Sequence, residues 1–358
     1  MSQERLTSTY WVPAQASVRG SAHIRRNAPN EDATWTSRPG TIAAVAVADG
    51  HGDLACPRSG RGAIAAARIA VHVLMDTATR GFPADTDAIL DLLRTRIVRL
   101  ILEEWQEFVQ NDAAAEPFTR REMSALLRLD MGDELDVADP SRLTDVKNYS
   151  EDLDALTTAR AYGTTLVAAL ATQGLILVVQ VGDGEAGVAF SDGTSLVPVP
   201  DDGPVGQATI SLAMADAAGL ARVAVLPTTS RETVSAVWVC SDGFSGAQAD
   251  STWRDLVAQQ LLEQLAADGP QAVADKLSGW LAPAADTAGD DTSMAILLAG
   301  DPESEPSGNT DRLGPDNHTQ IEDQSKSGLS TPRHSELRRR IVRLFGIEGG
   351  AGGSLGSD

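Results

Sequence analysis

Ala44-Val45-Ala46-Val47-Ala48-Asp49-Gly50-His51-Gly52 reads as a strand that runs straight into chemistry. Five small or β-branched apolar residues in succession, with no polar alternation, suit a strand covered on both faces. A strand of that kind belongs inside a layered fold, and Asp49 then emerges at its end, where a carboxylate can meet a metal or a substrate. Gly50 and Gly52 let the main chain bend close to whatever Asp49 holds. A single Asp-Gly pair marks only a turn.

Strand character continues on either side. Gly163 to Leu170 and Leu175 to Val181 flank a short turn at Gln173-Gly174, as a hairpin would, and the second run ends in Gly182-Asp183-Gly184. Further strands are expected at 186–190, 208–214, 221–226 and 234–240, the last leading into Cys240-Ser241-Asp242-Gly243. A final apolar strand follows Asp290-Asp291-Thr292-Ser293, and an edge strand is expected at 14–18. Helical spacing starts near Gly62, with Ala65, Ile69 and Val73 on one face, and returns at Ile89, Leu93, Ile97, Leu100 and Phe108. Helices are also expected at 252–267 and 270–281. His72 reads as an ordinary helix residue.

Several bare patterns fail on their context. Gly60-Arg61-Gly62-Ala63-Ile64-Ala65 fits a dinucleotide fingerprint, but it does not directly follow its strand and the chain has consecutive strands, not βαβ units. Cys56 to Arg61 has four residues between cysteine and arginine where a cysteine phosphatase loop needs five, and Pro57 removes an amide. Gly243 to Ala247 lacks the closing glycine of a hydrolase elbow.

With 358 residues, 42% of them hydrophobic, the chain can bury a sizeable core. Its 29 basic against 50 acidic residues, a formal charge of −21, oppose binding of nucleic acid or an anionic membrane by the body of the protein. Two cysteines, Cys56 and Cys240, are too few for a disulfide framework. No run of about 18 apolar residues and no signal-peptide core is present, so the expected location is cytoplasmic. Composition divides the chain into a lead-in (1–13), a folded domain (14–299) with an acid-rich insertion at about 130–154, a disordered linker (300–332), a basic helix (333–347) and a disordered tail (348–358). In the basic helix Arg338, Arg339, Arg340 and Arg343 interleave with Leu337, Ile341, Leu344 and Phe345. Such a helix can dock on the acidic body, a partner or a membrane surface.

Four acids sit beside glycine or at strand starts: Asp49, Asp183, Asp242 and Asp290. Strand ends far apart in sequence can converge at one edge of a sheet fold, and hard divalent ions such as Mg²⁺ or Mn²⁺ take oxygen ligands in clusters of that kind. Upstream, Arg25 and Arg26 precede Glu31 and Asp32 across a proline turn. Guanidinium groups match phosphate oxygens bidentately, so this segment can set a phosphate fork beside metal-binding acids; the plainer reading is a charged hairpin.

These blocks together resemble the metal-dependent protein phosphatases of the type 2C family, in bacterial form. Asn30-Glu31-Asp32, Val47 to Gly52, Gly163-Thr164-Thr165 with Val181 to Gly184, Ser241-Asp242-Gly243 and Asp290 to Ser293 occur in the family's order. The resemblance implies an α+β fold, an α-β-β-α sandwich of two central antiparallel sheets flanked by helices. It implies a serine/threonine protein phosphatase that hydrolyses the phosphoester with a water or hydroxide bridging two Mn²⁺ or Mg²⁺ ions, without a phosphoenzyme. Asp49 matches the bridging carboxylate, with the Gly50 carbonyl as a further ligand. Asp242 and Asp290 resemble the acids that complete the first metal's shell, and Glu31 and Asp32 the pair that binds the second metal directly or through its waters. His51 is the candidate acid for the leaving group. The family commonly places its phosphate-binding arginine where Asn27 stands, so Arg25, Arg26 and His23 share that expectation. Asp183 matches a residue that helps bind a third metal in many bacterial members; a further acid of that site is replaced by Gly246, which leaves the third ion open. The expected partners are phosphorylated proteins, among them a serine/threonine kinase, and the expected state is a monomer. The alternative is a catalytically silent phosphatase-like scaffold that binds phosphoproteins.

Overall fold

The computed structural model describes residues 9–130, 154–200, 209–228 and 233–300. Among them, ten strands form two five-stranded sheets, antiparallel throughout. The first runs in the order β1 (Tyr10–Val18), β10 (Thr292–Gly300), β9 (Val234–Cys240), β6 (Glu185–Phe190) and β7 (Ser195–Leu196). The second runs β2 (Asp32–Thr36), β3 (Ala43–Asp49), β4 (Leu166–Ala171), β5 (Leu175–Val181) and β8 (Arg222–Pro227).

β3 shows why its sequence has no polar alternation. Val45 and Val47 point into a core between the sheets, against Val167, Val178, Val237 and Leu297. Ala44, Ala46 and Ala48 point the other way, onto helix α2 (Ser59–Arg80). That helix presents Ala63, Ala66, Ala67 and Ala70, and small residues on both surfaces let helix and sheet approach closely. Behind α2 lie α3 (Thr86–Leu92), a π turn at Leu93–Ile97 and α4 (Val98–Ala115), whose Trp105 donates its indole N–H to the Gly62 carbonyl at 3.0 Å. α5 (Arg120–Asp130) and α6 (Ala155–Ala161) complete that layer. On the far side, Trp238, Ile296 and Leu298 pack on α9 (Trp253–Ala288) through Val257, Leu261, Leu277 and Leu281. The layers are therefore helix, sheet, sheet, helix: the expected α+β sandwich.

The structure departs from the sequence reading in several places. β1 begins at Tyr10, so residues 10–13 belong to the sheet and not to a lead-in; Trp11 is 1% exposed between the sheets and donates its indole N–H to the Thr172 carbonyl at 3.2 Å. The strand expected at 208–214 is absent over its described part, 209–214, which forms turns before α7 (Ala217–Leu220). Leu212 is buried there, but its amide and the Ser211 hydroxyl bond to the single Thr164 carbonyl, which leaves no ladder to extend. The two C-terminal helices do break where expected, at Gly269 (φ 78°, ψ 174°) before Pro270, but the second continues to Ala288. Segment 20–32 is no hairpin: Ser21–Arg26 forms helix α1, closed by Asn27 in the left-handed region (φ 54°).

The chain divides between Gly300 and Asp301, and all the described residues belong to the first part. The linker, basic helix and tail lie outside the described residues, as does the acid-rich insertion between Asp130 and Asp154. No helix among the described residues is long and apolar enough to cross a membrane.

Candidate active site

Strand register brings the acids together. Asp32 opens β2 directly opposite Asp49, which closes β3. Cys240, the end of β9, pairs with both Met294 near the start of β10 and Glu185 at the start of β6. Val18 at the end of β1 pairs with Thr292, and Val181 at the end of β5 with Leu166. Asp242 at the start of the short helix α8 (Asp242–Ser245), Asp290 before β10 and Asp183 after β5 are thus carried to the same edge as Asp32 and Asp49.

Among the described residues no arginine or lysine forms an ion pair with Asp32, Asp49, Asp242 or Asp290; His23 lies 3.6 Å from Asp290. Burial pushes the Asp49 carboxyl well above its ordinary range, and the neighbouring Asp32, Asp242 and Asp290 push it further. Asp32 is raised to about 7, chiefly by burial, against hydrogen bonds from Ser293 and Ser241 that hold it down; the Ser241 hydroxyl lies 2.8 Å from its Oδ2. Asp242 is raised by burial, with the hydrogen bond it shares with Asp49 opposing and Asp183 and Asp290 adding to the rise. One oxygen is left over: Asp242 Oδ1 is fully buried with no hydrogen-bond partner. A buried carboxylate oxygen without a donor is costly unless a cation meets it. Hard oxygen donors in low-dielectric surroundings, sharing a proton for want of positive charge, fit Mn²⁺ or Mg²⁺ by donor chemistry. Among the described residues no three acid, histidine or cysteine side chains already stand in the arrangement of an occupied metal site. Asp49 and Asp242 share a side-chain hydrogen bond.

The main chain around Asp49 is braced by the Gly163-Thr164-Thr165 block. Thr165 Oγ1 accepts the Asp49 amide at 3.1 Å, while the Asp49 carbonyl accepts the Thr165 amide and the Thr164 hydroxyl, both at 2.8 Å. Gly163 lies under His51: a Cβ there would stand 2.8 Å from His51 Cδ2 and 3.0 Å from Cys56 Sγ, so this position has no room for a side chain. Gly52 adopts φ 63°, the turn expected after His51. His51 is half-buried, and burial pushes its imidazolium below the ordinary value, against the pull of Asp53, Asp183 and Asp242.

The Asn30 to Asp32 stretch is held from two sides. Glu31 Oε2 accepts the Gly60 amide at 2.6 Å and the Ser59 hydroxyl at 2.9 Å at the start of α2, which is a favourable place for negative charge. Its Oε1 takes no hydrogen bond among the described residues. His23 points inward from α1, with Nδ1 2.9 Å from Asp291 Oδ2 and Nε2 3.6 Å from Asp290 Oδ1. Arg25 and Arg26 are exposed, and the Arg25 guanidinium folds back on the Ser21 hydroxyl at 3.1 Å. Asp183 is exposed at the rim, where its Oδ2 accepts the Thr209 hydroxyl at 2.8 Å. Sequence reasoning passed over Ser241, Thr165 and Asp291, which brace the acids; each stood in a quoted block, Ser241 and Asp291 directly beside a named acid and Thr165 in the Gly163-Thr164-Thr165 block.

Both cysteines are buried and their thiols pushed up by that burial, Cys56 to about 12, which makes them poor nucleophiles. Arg58 and Arg61, the basic residues of the rejected cysteine loop, are occupied with Glu122, Asp112 and Glu116.

A family model described as Protein phosphatase 2C matches residues 19–282, well over half of the chain. No curated protein sequence matches. Solved structures similar to this chain include the serine/threonine phosphatase Stp1 from Staphylococcus aureus, at 13% identity over 83% of this chain and 98% of that one, with a TM-score of 0.47. The serine/threonine phosphatase PstP/Ppp of Mycobacterium tuberculosis matches at 15% identity over 81% and 98%, with a TM-score of 0.45. PppA, a regulatory component of the type VI secretion system in Pseudomonas aeruginosa, matches at 17% identity over 81% and 98%, with a TM-score of 0.44.

Proposed function

The chain belongs to the protein phosphatase 2C family, and on that premise we propose which of its residues carry the reaction. It is a metal-dependent serine/threonine protein phosphatase whose substrates are phosphorylated proteins and whose cofactors are Mn²⁺ or Mg²⁺. The observation that carries the residue assignment is the buried Oδ1 of Asp242, without a hydrogen-bond partner among the described residues, beside carboxyls whose proton affinity is raised by burial and further by one another.

Asp49 and Asp242 would hold the metals, joined by Asp290, Asp32, the Gly50 carbonyl and Oε1 of Glu31. When bound, the ions supply Lewis acidity toward the phosphoryl group and bring the pKa of water down toward neutrality. His51, packed on Gly163, delivers the proton that the departing serine or threonine oxygen needs. His23 faces the same acids and is the basic group of the upstream segment best placed for the phosphate; Arg25 and Arg26 can reach it only from the solvent side. Asp183 stands ready for a third ion at the rim. A serine/threonine kinase as partner, a cytoplasmic location and docking by the 333–347 segment are part of the same proposal, on the sequence alone. A silent scaffold would gain nothing from carboxyls that repel one another without metal.

The test is phosphate release from a phosphothreonine peptide. Release should need Mn²⁺, stop with a chelator and be lost in Asp49→Asn and Asp242→Asn. Phosphopeptide binding without turnover in the parent protein would instead favour the scaffold.

A further inference from the structure

We propose that Asp291 is a positioning residue of this metal site: the carboxylate that locks the Asn30 to Asp32 acids against the Asp290 end of β10. The inference rests on the metal-site reading above and adds a residue to it. Asp291 is 2% exposed, and both of its oxygens are filled, by groups from two segments: the start of α1, through its N-cap Gly20 and His23, and Glu31 before β2. Oδ1 accepts the Gly20 amide at 2.7 Å, just beyond the end of β1. Oδ2 accepts the Glu31 amide at 2.6 Å, one residue before β2, and meets His23 Nδ1 from α1 at 2.9 Å.

The consequence runs outward along the chain. With its amide on Asp291, Glu31 places its carboxylate on Ser59 and Gly60 and delivers Asp32 to its pairing with Asp49. Asp290, the neighbour of Asp291 in sequence, is fixed by the same anchor. Asp291 therefore sets the distance between the acids assigned to the two ions without itself facing solvent. Supporting partners of metal ligands typically change affinity by about 10–100-fold when removed.

The experiment is Mn²⁺ titration by calorimetry on the full chain, with phosphate release from a phosphothreonine peptide measured across the same Mn²⁺ range. Asp291→Asn keeps an acceptor on one side and turns an N–H₂ against a donor on the other. It should weaken Mn²⁺ binding about tenfold or more, while kcat at saturating Mn²⁺ stays within about threefold of the parent. Asp291→Ala, which loses all three bonds, should weaken binding further; if it does not fold by circular dichroism, Asp291→Asn decides alone. Mn²⁺ affinity within about twofold of the parent in folded Asp291→Asn overturns the proposal, as does a fall in kcat at unchanged affinity. A parent chain that binds no Mn²⁺ overturns the metal-site reading itself, and this inference with it.

Discussion

Two clusters of charge flank the start of α2, and they solve opposite problems. On one side Arg58 is buried over the Phe118 ring, 4.1 Å from its centroid, with Nε 2.8 Å from Glu122 and Nη1 on the Glu116 carbonyl at 2.7 Å and the Tyr162 hydroxyl at 2.8 Å. Tyr162 donates to Asp112 at 2.6 Å, and Arg61 closes the network on Asp112 and Glu116. Here every carboxylate has a guanidinium or hydroxyl. On the other side Asp32, Asp49 and Asp242 face one another with hydroxyls and backbone amides but no guanidinium. The first arrangement is what folding needs when charge is buried. The second opposes folding by mutual repulsion, which makes sense for a surface that recruits cations after it forms.

Mutation should separate the two most sharply. Asp242→Asn or Asp49→Asn should lower Mn²⁺-dependent phosphate release by about a thousandfold, since preorganised charge at the reacting centre is worth that much. The metal-free protein should melt at the same temperature or higher, because one repelling charge has gone. Arg58→Met should do the reverse: a loss of about 2–3 kcal/mol in a denaturant titration, from removing the buried guanidinium that half-buried Glu122, the Glu116 carbonyl and the Tyr162 hydroxyl share, with turnover per folded molecule preserved. A catalytic collapse in Arg58→Met at full folding would break the comparison.

Acidity should separate them next, with opposite signs. Burial raises the Glu122 carboxyl, but the bonds from Arg58 and Thr119 outweigh it and the net shift is downward. Glu122 therefore adds stability above the ordinary carboxyl range near 4.5, and that stability is lost as pH falls through its lowered value. Asp32, raised from 3.8 to about 7, adds stability below its unfolded value that is lost as pH rises toward 7. Thermal melts of metal-free protein from pH 4 to 7 should show the second loss, and excess Mn²⁺ should abolish it. The smallest effect should come from Gly163→Ala, which forces a methyl against His51 and Cys56. A loss of about 1–3 kcal/mol is expected, with kcat reduced more than Mn²⁺ affinity because His51 moves and the acids do not.

Much of this was legible before the fold was known. Asp49 could be read because an acid ending an unbroken apolar run must leave a doubly covered strand at its edge. Asp242 and Asp290 could be read from the same logic at β9 and β10. Asp291 could not, because two adjacent aspartates look alike in sequence; strand register and the arrival of Gly20, His23 and Glu31 around one of them decide which is buried. The plain reading of the Arg25 and Arg26 segment as a charged hairpin fails for a local reason: a short helix ending at Asn27 turns His23 to Asp290 and Asp291 and leaves both arginines exposed. The helix at 59–80 was read three residues short because its first turn is capped from outside, by Glu31, with no capping side chain of its own.

Anomalous scattering at the manganese edge, from crystals grown with Mn²⁺, tests the central claim most directly. Two peaks should lie among Asp32, Asp49, Asp242 and Asp290, with Asp242 Oδ1 in contact with one of them. Manganese elsewhere on the chain, with those four carboxyls still sharing protons among themselves, would contradict the account.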